Sequence, residues 1–190
     1  MRKIGVFCGS SPGADPRFMA GAKALGRVIA ETNHVLVYGG AKVGLMGVLA
    51  DSALAAGGKV IGVVPRVLVE KGVAHDALSE LHVVSSMHER KGMMAELSDG
   101  FIAMPGGLGT LEEFFEMWTW GQLGLHQKPL GILGAEDFFA PLLQFLDLLV
   151  SQKFLRPEHR RMAILEQDPV LLLQLLEDYK VTTVPKWQRG

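Results

Sequence analysis

One stretch decides the fold: Pro105-Gly106-Gly107-Leu108-Gly109-Thr110-Leu111-Glu112-Glu113, which follows the apolar run 100–104 and leads into a segment with helical spacing. Glycine lets backbone N–H groups approach a ligand closely. A helix that starts directly after such a loop adds the partial positive charge of its N-terminus. The stretch therefore predicts a buried strand, a glycine loop that can hold an anion, and a helix.

Two further β-rich runs end in a loop of the same kind. Residues 3–8 lead into Gly9-Ser10-Ser11, and residues 34–38 lead into Gly39-Gly40-Ala41-Lys42-Val43-Gly44. In an open parallel sheet, ligands bind at the carboxyl ends of the strands. Three glycine loops on one edge would form a phosphate cradle that needs few cationic side chains. The alternative is that the glycines only allow tight turns between strands and helices.

These loops lack the common nucleotide-binding motifs. A dinucleotide fingerprint needs G-x-G-x-x-G after the first strand, and a P-loop needs G-K-S/T before its helix. Neither pattern occurs at Gly9 or at Gly44. The predicted cradle therefore belongs to neither of these binding modes.

The chain alternates strand-like and helix-like segments from end to end. The strand-like runs are 3–8, 34–38, 59–64, 81–84, 100–104 and 129–133, and the helical segments are one starting at Asp15-Pro16, then 45–56, 87–97, 111–123, 138–152 and one from Asp168-Pro169 to about residue 179. Strict alternation predicts an α/β fold, a doubly wound parallel sheet with helices on both faces. We expect a single domain over residues 1–180 and a C-terminal arm over 181–190.

Arg90 stands where an apolar residue would be expected. Helical spacing places it on one stripe with Met87, Met94 and Leu97. A guanidinium keeps its proton, so an inward-facing arginine needs an anion. The alternatives are an arginine that reaches the rim or one that pairs with a structural carboxylate. On the next position, Lys91 could reach a phosphate.

Glu113 has two interpretations. Thr110 and Glu113 match a capping box, with threonine at the cap and glutamate three residues later. In the functional interpretation, Glu113 lies at the mouth of the glycine cradle, where it could orient water or stabilise a developing cation. Glu112 points elsewhere on the helix and is the weaker candidate.

Composition excludes several classes of protein. The 190 residues carry 19 basic and 20 acidic side chains, so there is no charge excess to attract nucleic acid or a membrane surface. Cys8 is the only cysteine, which excludes an internal disulfide. No spacing of histidines or cysteines suggests a metal, and no cofactor is indicated. We expect a cytoplasmic protein.

The helix predicted after the glycine stretch is apolar on more than one side. Its apolar residues are Phe114, Phe115, Met117, Trp118, Trp120 and Leu123. One face of a sheet can cover only one side of such a helix. The pattern therefore predicts a homodimer, with this helix and the segment 87–97 near the interface and the site close by.

The chain resembles the LOG family of cytokinin-activating phosphoribohydrolases, whose members are often labelled lysine decarboxylases. The resemblance extends from about residue 5 to residue 129 and more loosely to the end. It rests on Val6-Phe7-Cys8-Gly9-Ser10-Ser11, Tyr38-Gly39-Gly40, Gly44-Leu45-Met46-Gly47, Gly57-Gly58-Lys59-Val60-Ile61-Gly62-Val63-Val64-Pro65, Met87-His88-Glu89-Arg90-Lys91, the stretch 105–113 and Trp120-Gly121-Gln122-Leu123-Gly124. The pattern P-G-G-x-G-T-x-x-E downstream of M-H-x-R-K is specific.

The resemblance implies a Rossmann-like fold and hydrolysis of a nucleoside 5′-monophosphate to the free base and ribose 5-phosphate. In the family, N6-prenylated adenosine monophosphates are preferred, and some members accept AMP. Its catalytic residues fall on Arg90 and Glu113. With the loops considered above, the expected substrate and phosphate contacts are Gly9, Ser10, Gly39, Gly40, Met46, Glu70, Lys91, Gly106, Gly107, Leu108, Gly109, Thr110, Leu111, Glu112 and Thr119.

Two other functions stay open from the sequence. A carrier of nucleotide or molybdenum cofactor can share such a fold. A lysine decarboxylase would need pyridoxal phosphate on a lysine, for which Lys42 and Lys91 are the nearest candidates.

Overall fold

One sheet of seven parallel strands organises the computed structural model, which describes residues 2–134 and 136–180. The strands are β1 Lys3–Phe7, β2 Val35–Tyr38, β3 Lys59–Pro65, β4 Glu80–Val84, β5 Gly100–Ala103, β6 Leu130–Leu133 and β7 Ala163–Glu166. Their order in the sheet is β4-β3-β2-β1-β5-β6-β7. The predicted doubly wound parallel sheet is confirmed.

Helices cover both faces of the sheet. They are α1 Pro16–Glu31, α2 Gly44–Ala55, α3 Arg66–Glu70, α4 Met87–Leu97, α5 Leu108–Gln122, α6 Glu136–Ser151, α7 Pro157–Arg160 and α8 Pro169–Glu177. One apolar cluster joins α1, α2 and α8 to one face of the sheet. A second cluster joins α4, α5 and α6 to the other face. The core therefore consists of two layers, one on each side of the strands.

The strand order brings the three glycine loops together. The chain progresses outward from β1 in one direction through β2 and in the other through β5, so these three strands are neighbours. Their loops are also hydrogen-bonded to one another. The Gly9 N–H donates to Pro105 O at 3.0 Å, and the Leu45 N–H donates to Gly9 O at 3.0 Å. The prediction that these loops meet at one edge is confirmed.

The start of α5 corrects the capping-box prediction. The helix begins at Leu108, and Gly107 is its N-cap without a side-chain hydrogen bond. Thr110 lies inside the first turn, and its buried side chain occupies the space that a Cβ on Gly106 would need. The Glu113 carboxylate accepts a hydrogen bond from another partner, as described below. The S/T-x-x-E pattern is present, but the box is not formed.

The apolar residues of α5 are mostly covered within the chain itself. Phe114, Met117 and Trp118 are buried, and the Trp118 indole N–H donates to His159 O at 2.9 Å. Glu112 and Thr119 are exposed on α5, whereas Phe115 and Trp120 are half buried and Leu123, at the C-cap, is exposed. Contacts with α6 and α7 on the same chain therefore cover one part of the helix, and the predicted partner subunit stays a prediction.

Two remaining expectations concern the chain as a whole. None of the helices within residues 2–134 and 136–180 is both long and apolar enough to cross a membrane. The C-terminal arm predicted over 181–190 lies outside the described residues.

Candidate active site

Arg90 points inward from the first turn of α4. Ser86 caps this helix by accepting a hydrogen bond from the Glu89 N–H at 3.1 Å. The Arg90 side chain is buried, and its Nε donates to Val63 O at 3.1 Å. Met94, one turn along the same stripe, is also buried, whereas Met87 is half exposed. The prediction of an inward arginine is confirmed, although the stripe does not extend to Met87.

Gly39 provides the space for this guanidinium. A Cβ added to Gly39 would overlap Nη2 of Arg90 and would touch Sδ of Met46. A residue without a side chain is therefore required where β2 ends. Gly39 therefore allows Arg90 to occupy its position, in addition to allowing the turn after β2.

Glu113 is the anion that Arg90 needs. It lies on the second turn of α5, is 7% exposed, and accepts a hydrogen bond from Nη1 of Arg90. Burial raises the pKa of the Glu113 carboxyl, and the positive charge of Arg90 opposes that rise. Cys8 lies close by, where burial raises the pKa of its thiol to about 12. Cys8 is therefore a neutral thiol at neutral pH.

A cavity of about 420 Å³ opens over the Arg90–Glu113 pair. Its lining includes nine of the residues expected from the sequence, namely Ser10, Gly39, Met46, Arg90, Gly107, Leu108, Gly109, Thr110 and Glu113. A neighbouring cavity of about 260 Å³ shares Ser10 and Gly107 with it and is also lined by Gly9 and Gly106. The structure therefore brings most of the predicted loop residues together around two adjoining cavities.

Other expected contacts lie away from the first cavity. Glu70 is exposed at the end of α3, and Thr119 is exposed on α5. Gly40 and Leu111 line neither cavity. The structure brings none of these four residues to the pair.

Lys91 is committed to carboxylates on α5. Its Nζ donates to Glu112 and lies 3.1 Å from Oε2 of Glu116. The hydrogen bond with Glu112 raises the pKa of Lys91. Neither Lys91 nor Glu112 lines the cavity of its own chain.

The apolar part of the cavity lining was assigned no role from the sequence, and Leu68 and Val73 were not named. This part consists of Ala41, Val43, Leu68, Val73 and Met87. Leu68 lies on α3, a five-residue helix that was not predicted. No periodic pattern marks so short an element, and these residues carry no chemistry that would distinguish them from core residues.

The arrangement suits an anionic sugar ligand. The first N–H groups of α5 have no intrahelical partner, and the helix begins directly after Gly107 of the third glycine loop. Ser10 and Thr110 add hydroxyl groups to the cavity wall. Within the described residues, His, Cys, Asp and Glu side chains form no group of three or more that could hold a metal ion. The polar groups at the site are thus backbone N–H groups, hydroxyl groups and one buried ion pair.

Comparisons with known proteins identify relatives over most of the chain. Residues 46–176 match a family described as "Possible lysine decarboxylase". A cytokinin riboside 5′-monophosphate phosphoribohydrolase of Rhodococcoides fascians is 47% identical over 88% of this chain and 85% of its own length. A protein of the same name from Arabidopsis thaliana is 40% identical over 98% of this chain and 90% of its own length.

Solved structures share the fold. A molybdenum cofactor binding protein from Rippkaea orientalis has a TM-score of 0.71 and 25% identity over 93% of this chain and 96% of its own. A molybdenum cofactor carrier protein from Chlamydomonas reinhardtii has a TM-score of 0.69 and 22% identity over 94% of this chain and 99% of its own. Because the identity to the phosphoribohydrolases is far higher, the chain belongs to the LOG family of cytokinin riboside 5′-monophosphate phosphoribohydrolases.

Proposed function

We propose that this chain hydrolyses the N-glycosidic bond of adenosine 5′-monophosphate and its N6-prenylated forms, and releases the base and ribose 5-phosphate. The observation that carries the proposal is the buried Arg90–Glu113 pair inside a cavity walled by the three glycine loops. The names of relatives at 40–47% identity support the same reaction.

The glycine loops and the start of α5 would bind the 5′-phosphate. Backbone N–H groups at a helix N-terminus attract an anion without a cationic side chain. Ser10 and Thr110 are placed to add hydroxyl hydrogen bonds. Binding energy gained at the phosphate can be used to orient the ribose at the reacting carbon.

Glu113 would act at the ribose. Positive charge develops on the sugar ring as the bond from the anomeric carbon to the base nitrogen breaks. A carboxylate beside the ring stabilises that charge and accepts a proton from the attacking water. The water oxygen bonds to the anomeric carbon, and the departing base gains a proton, so that one water molecule is consumed. The raised pKa of Glu113 suits a group that accepts and returns a proton.

Arg90 would orient both the substrate and Glu113. Its Nε and Nη1 are held by Val63 O and Glu113, respectively. The planar guanidinium has further N–H groups that can bind hydroxyl or phosphate oxygens. Arg90 therefore fixes the carboxylate and can follow the sugar as the bond lengthens.

We also propose that the functional form is a homodimer with the site near the interface. Lys91, Glu112 and Thr119 lie outside the cavity of their own chain, although the resemblance implies that they contact nucleotide. A second copy packed on α4 and α5 would account for both facts, because these side chains would then face the partner's cavity. The half-buried Phe115 and Trp120 offer apolar area for that contact.

A cytoplasmic location completes this proposal. Cys8 is a free, buried thiol. Free thiols are the usual state in the reducing cytoplasm.

The decarboxylase description is a poor fit to the site. Pyridoxal phosphate would need a lysine that reaches the cavity. Instead, Nζ of Lys42 donates to Oδ2 of the exposed Asp76 at 3.0 Å, and Nζ of Lys91 donates to the Glu112 carboxylate. No lysine belongs to the cavity lining formed by the described residues. The two lysines named from the sequence are therefore unsuited to a Schiff base.

A carrier role is the second candidate, because the structural neighbours named above bind molybdenum cofactor. A carrier would gain nothing from a buried carboxylate beside its phosphate site, since burying an ion pair is costly. The test is incubation of the purified chain with AMP and with isopentenyladenosine monophosphate, followed by chromatography for free base and ribose 5-phosphate. Release of both products supports the proposal, whereas binding without release favours a carrier.

A further inference from the structure

One wall of the cavity is not held by the core. Between β3 and β4 the chain passes through α3 and a loop, residues 66–78, which we call the wall segment. Its Leu68 and Val73 line the cavity. Within residues 66–73, all of which are described, no side chain is buried. Segments with so few buried apolar contacts open at low cost in free energy.

Backbone hydrogen bonds attach the wall segment to the loop after β2. The Lys42 N–H donates to Val73 O at 2.9 Å, and the His75 N–H donates to Gly40 O at 2.9 Å. These bonds flank an isolated antiparallel bridge between the two loops. The same β2 loop begins with Gly39, which provides the space for Arg90. The loop after β2 therefore holds the wall segment through backbone hydrogen bonds and also determines the position of Arg90.

The His75 side chain ties this support to α2. The ring is buried, and Nε2 lies 3.0 Å from Oδ1 of Asp51. Its Nδ1 accepts a hydrogen bond from the Ala77 N–H at 3.2 Å, so the ring proton lies on Nε2 and is donated to Asp51. Helix α2 also carries Met46, another residue of the cavity lining. One imidazole thus joins the wall segment to a helix that packs in the core.

We propose that His75 is a positioning residue for nucleotide binding, which holds the wall segment against α2 and the β2 loop. The proposal rests on the proposed function, because it assigns a role at the same site. Leu68 and Val73 belong to the apolar part of the lining, apart from Arg90 and Glu113. Contacts made equally to the ground state and the transition state affect KM rather than kcat. The wall should therefore determine affinity and not the rate of bond cleavage.

The first test is His75→Ala, assayed with AMP. We expect KM to rise about tenfold, equivalent to about 1.4 kcal/mol, while kcat stays within about twofold. His75→Asn keeps an acceptor for the Ala77 N–H, and His75→Gln keeps a donor that can reach Asp51. Each of these conservative variants should give a KM between those of the wild type and His75→Ala.

His34 offers a matched control. It is also a buried histidine, and its Nε2 lies 3.0 Å from Oε1 of Glu177. It precedes β2, at the amino ends of the strands, whereas the cavity lies at their carboxyl ends. His34→Ala should lower Tm by about as much as His75→Ala does and leave KM unchanged. An unchanged KM in His75→Ala, or an equal rise in both variants, would overturn the proposal.

Two further measurements keep the proposal decidable. If His75→Ala does not fold, Asp51→Ala replaces it, because the Asp51 side chain is mostly exposed. A raised KM in Asp51→Ala, with a near-normal KM in Asp51→Asn, supports the proposal, and unchanged values in both contradict it.

If the wild type releases no base, the proposed function fails, and amide hydrogen exchange then decides the role of His75. Faster exchange across residues 66–78 in His75→Ala than in His34→Ala supports it, and equal exchange refutes it.

Discussion

At the scale of single residues, the Arg90–Glu113 pair combines a cost in stability with a use in chemistry. Both side chains are about one-tenth exposed or less. Removing water from two charges costs several kcal/mol per ion, and mutual attraction only partly offsets that cost. The loss of one partner leaves the other charge buried without compensation. The pair is therefore better explained by its chemistry than by stability.

Glu113→Gln tests this chemistry. Glutamine keeps the size of the side chain and a hydrogen bond with Arg90 but carries no charge. We expect kcat for base release to fall by at least roughly 100-fold, the scale of a positioned acid–base or electrostatic group. The control is Glu177→Gln, which alters a carboxylate that pairs with a buried histidine far from the cavity. Near-normal turnover in Glu113→Gln would exclude Glu113 from the mechanism.

The raised pKa of Glu113 predicts a specific pH dependence. The ionised carboxylate is the form that accepts a proton, so kcat/KM should fall as the pH is lowered. We expect the midpoint of this acid limb to lie above about 4.3, the ordinary pKa of glutamate. The same shift has a defined sign for stability. The folded state binds the Glu113 proton more tightly than the unfolded state, so this contribution is present at low pH and is lost as the pH rises through the folded pKa. A pH profile of kcat/KM whose acid limb lies at or below the ordinary value would contradict the assignment.

The two central residues were predictable because each is chemically out of place. An arginine among apolar positions of a helix needs an explanation, and so does a glutamate after three glycines. Leu68 and Val73 could not be predicted as site residues, since an apolar side chain has the same appearance in a cavity wall and in a core. Lys91 was predicted to reach phosphate, but two carboxylates on α5 compete for it.

At the scale of elements, helices and strands with strong patterns were predicted to within one or two residues. The Asp15 and Asp168 caps are formed as expected, each by accepting hydrogen bonds from the first helical turn. Strand β7 was missed because it is a four-residue edge strand with a mostly half-buried pattern. The start of α5 was placed too late because Thr110 turns inward and Glu113 is committed to Arg90. Sequence spacing alone does not reveal such competing contacts.

The loop after β2 provides a test at this scale. In Gly39→Ala the new methyl group would displace the Arg90 guanidinium, which is the far end of a flexible side chain. We expect kcat/KM to fall at least about tenfold while Tm changes little, because a displaced catalytic group lowers the reaction rate. The control is Gly21→Ala in α1, where the nearest atom to the new Cβ is Cε of Met104 at 3.6 Å. A fully active Gly39→Ala variant would show that Arg90 does not need this position.

At the scale of the whole molecule, the proposed dimer predicts that association and activity are coupled. Thr119→Arg places a long charged side chain on the exposed face of α5. We expect light scattering to show a shift from dimer to monomer, together with a loss of base release. Gln174→Arg makes the same change on the exposed face of α8 and should alter neither property. A wild-type chain that is monomeric and fully active would reject the dimer.

The lining of the cavity combines backbone groups with side chains that can be replaced at little cost. The predicted phosphate contacts are largely backbone groups, which amino-acid replacement does not alter directly. Leu108 and Met87, in contrast, are exposed at the mouth of the cavity, and Leu68 lies on a wall outside the core. Replacements at exposed positions usually change stability by no more than about 0.5 kcal/mol. Replacement of these three residues should therefore change the shape of the cavity at little cost in stability, while the fold and the Arg90–Glu113 pair stay as they are.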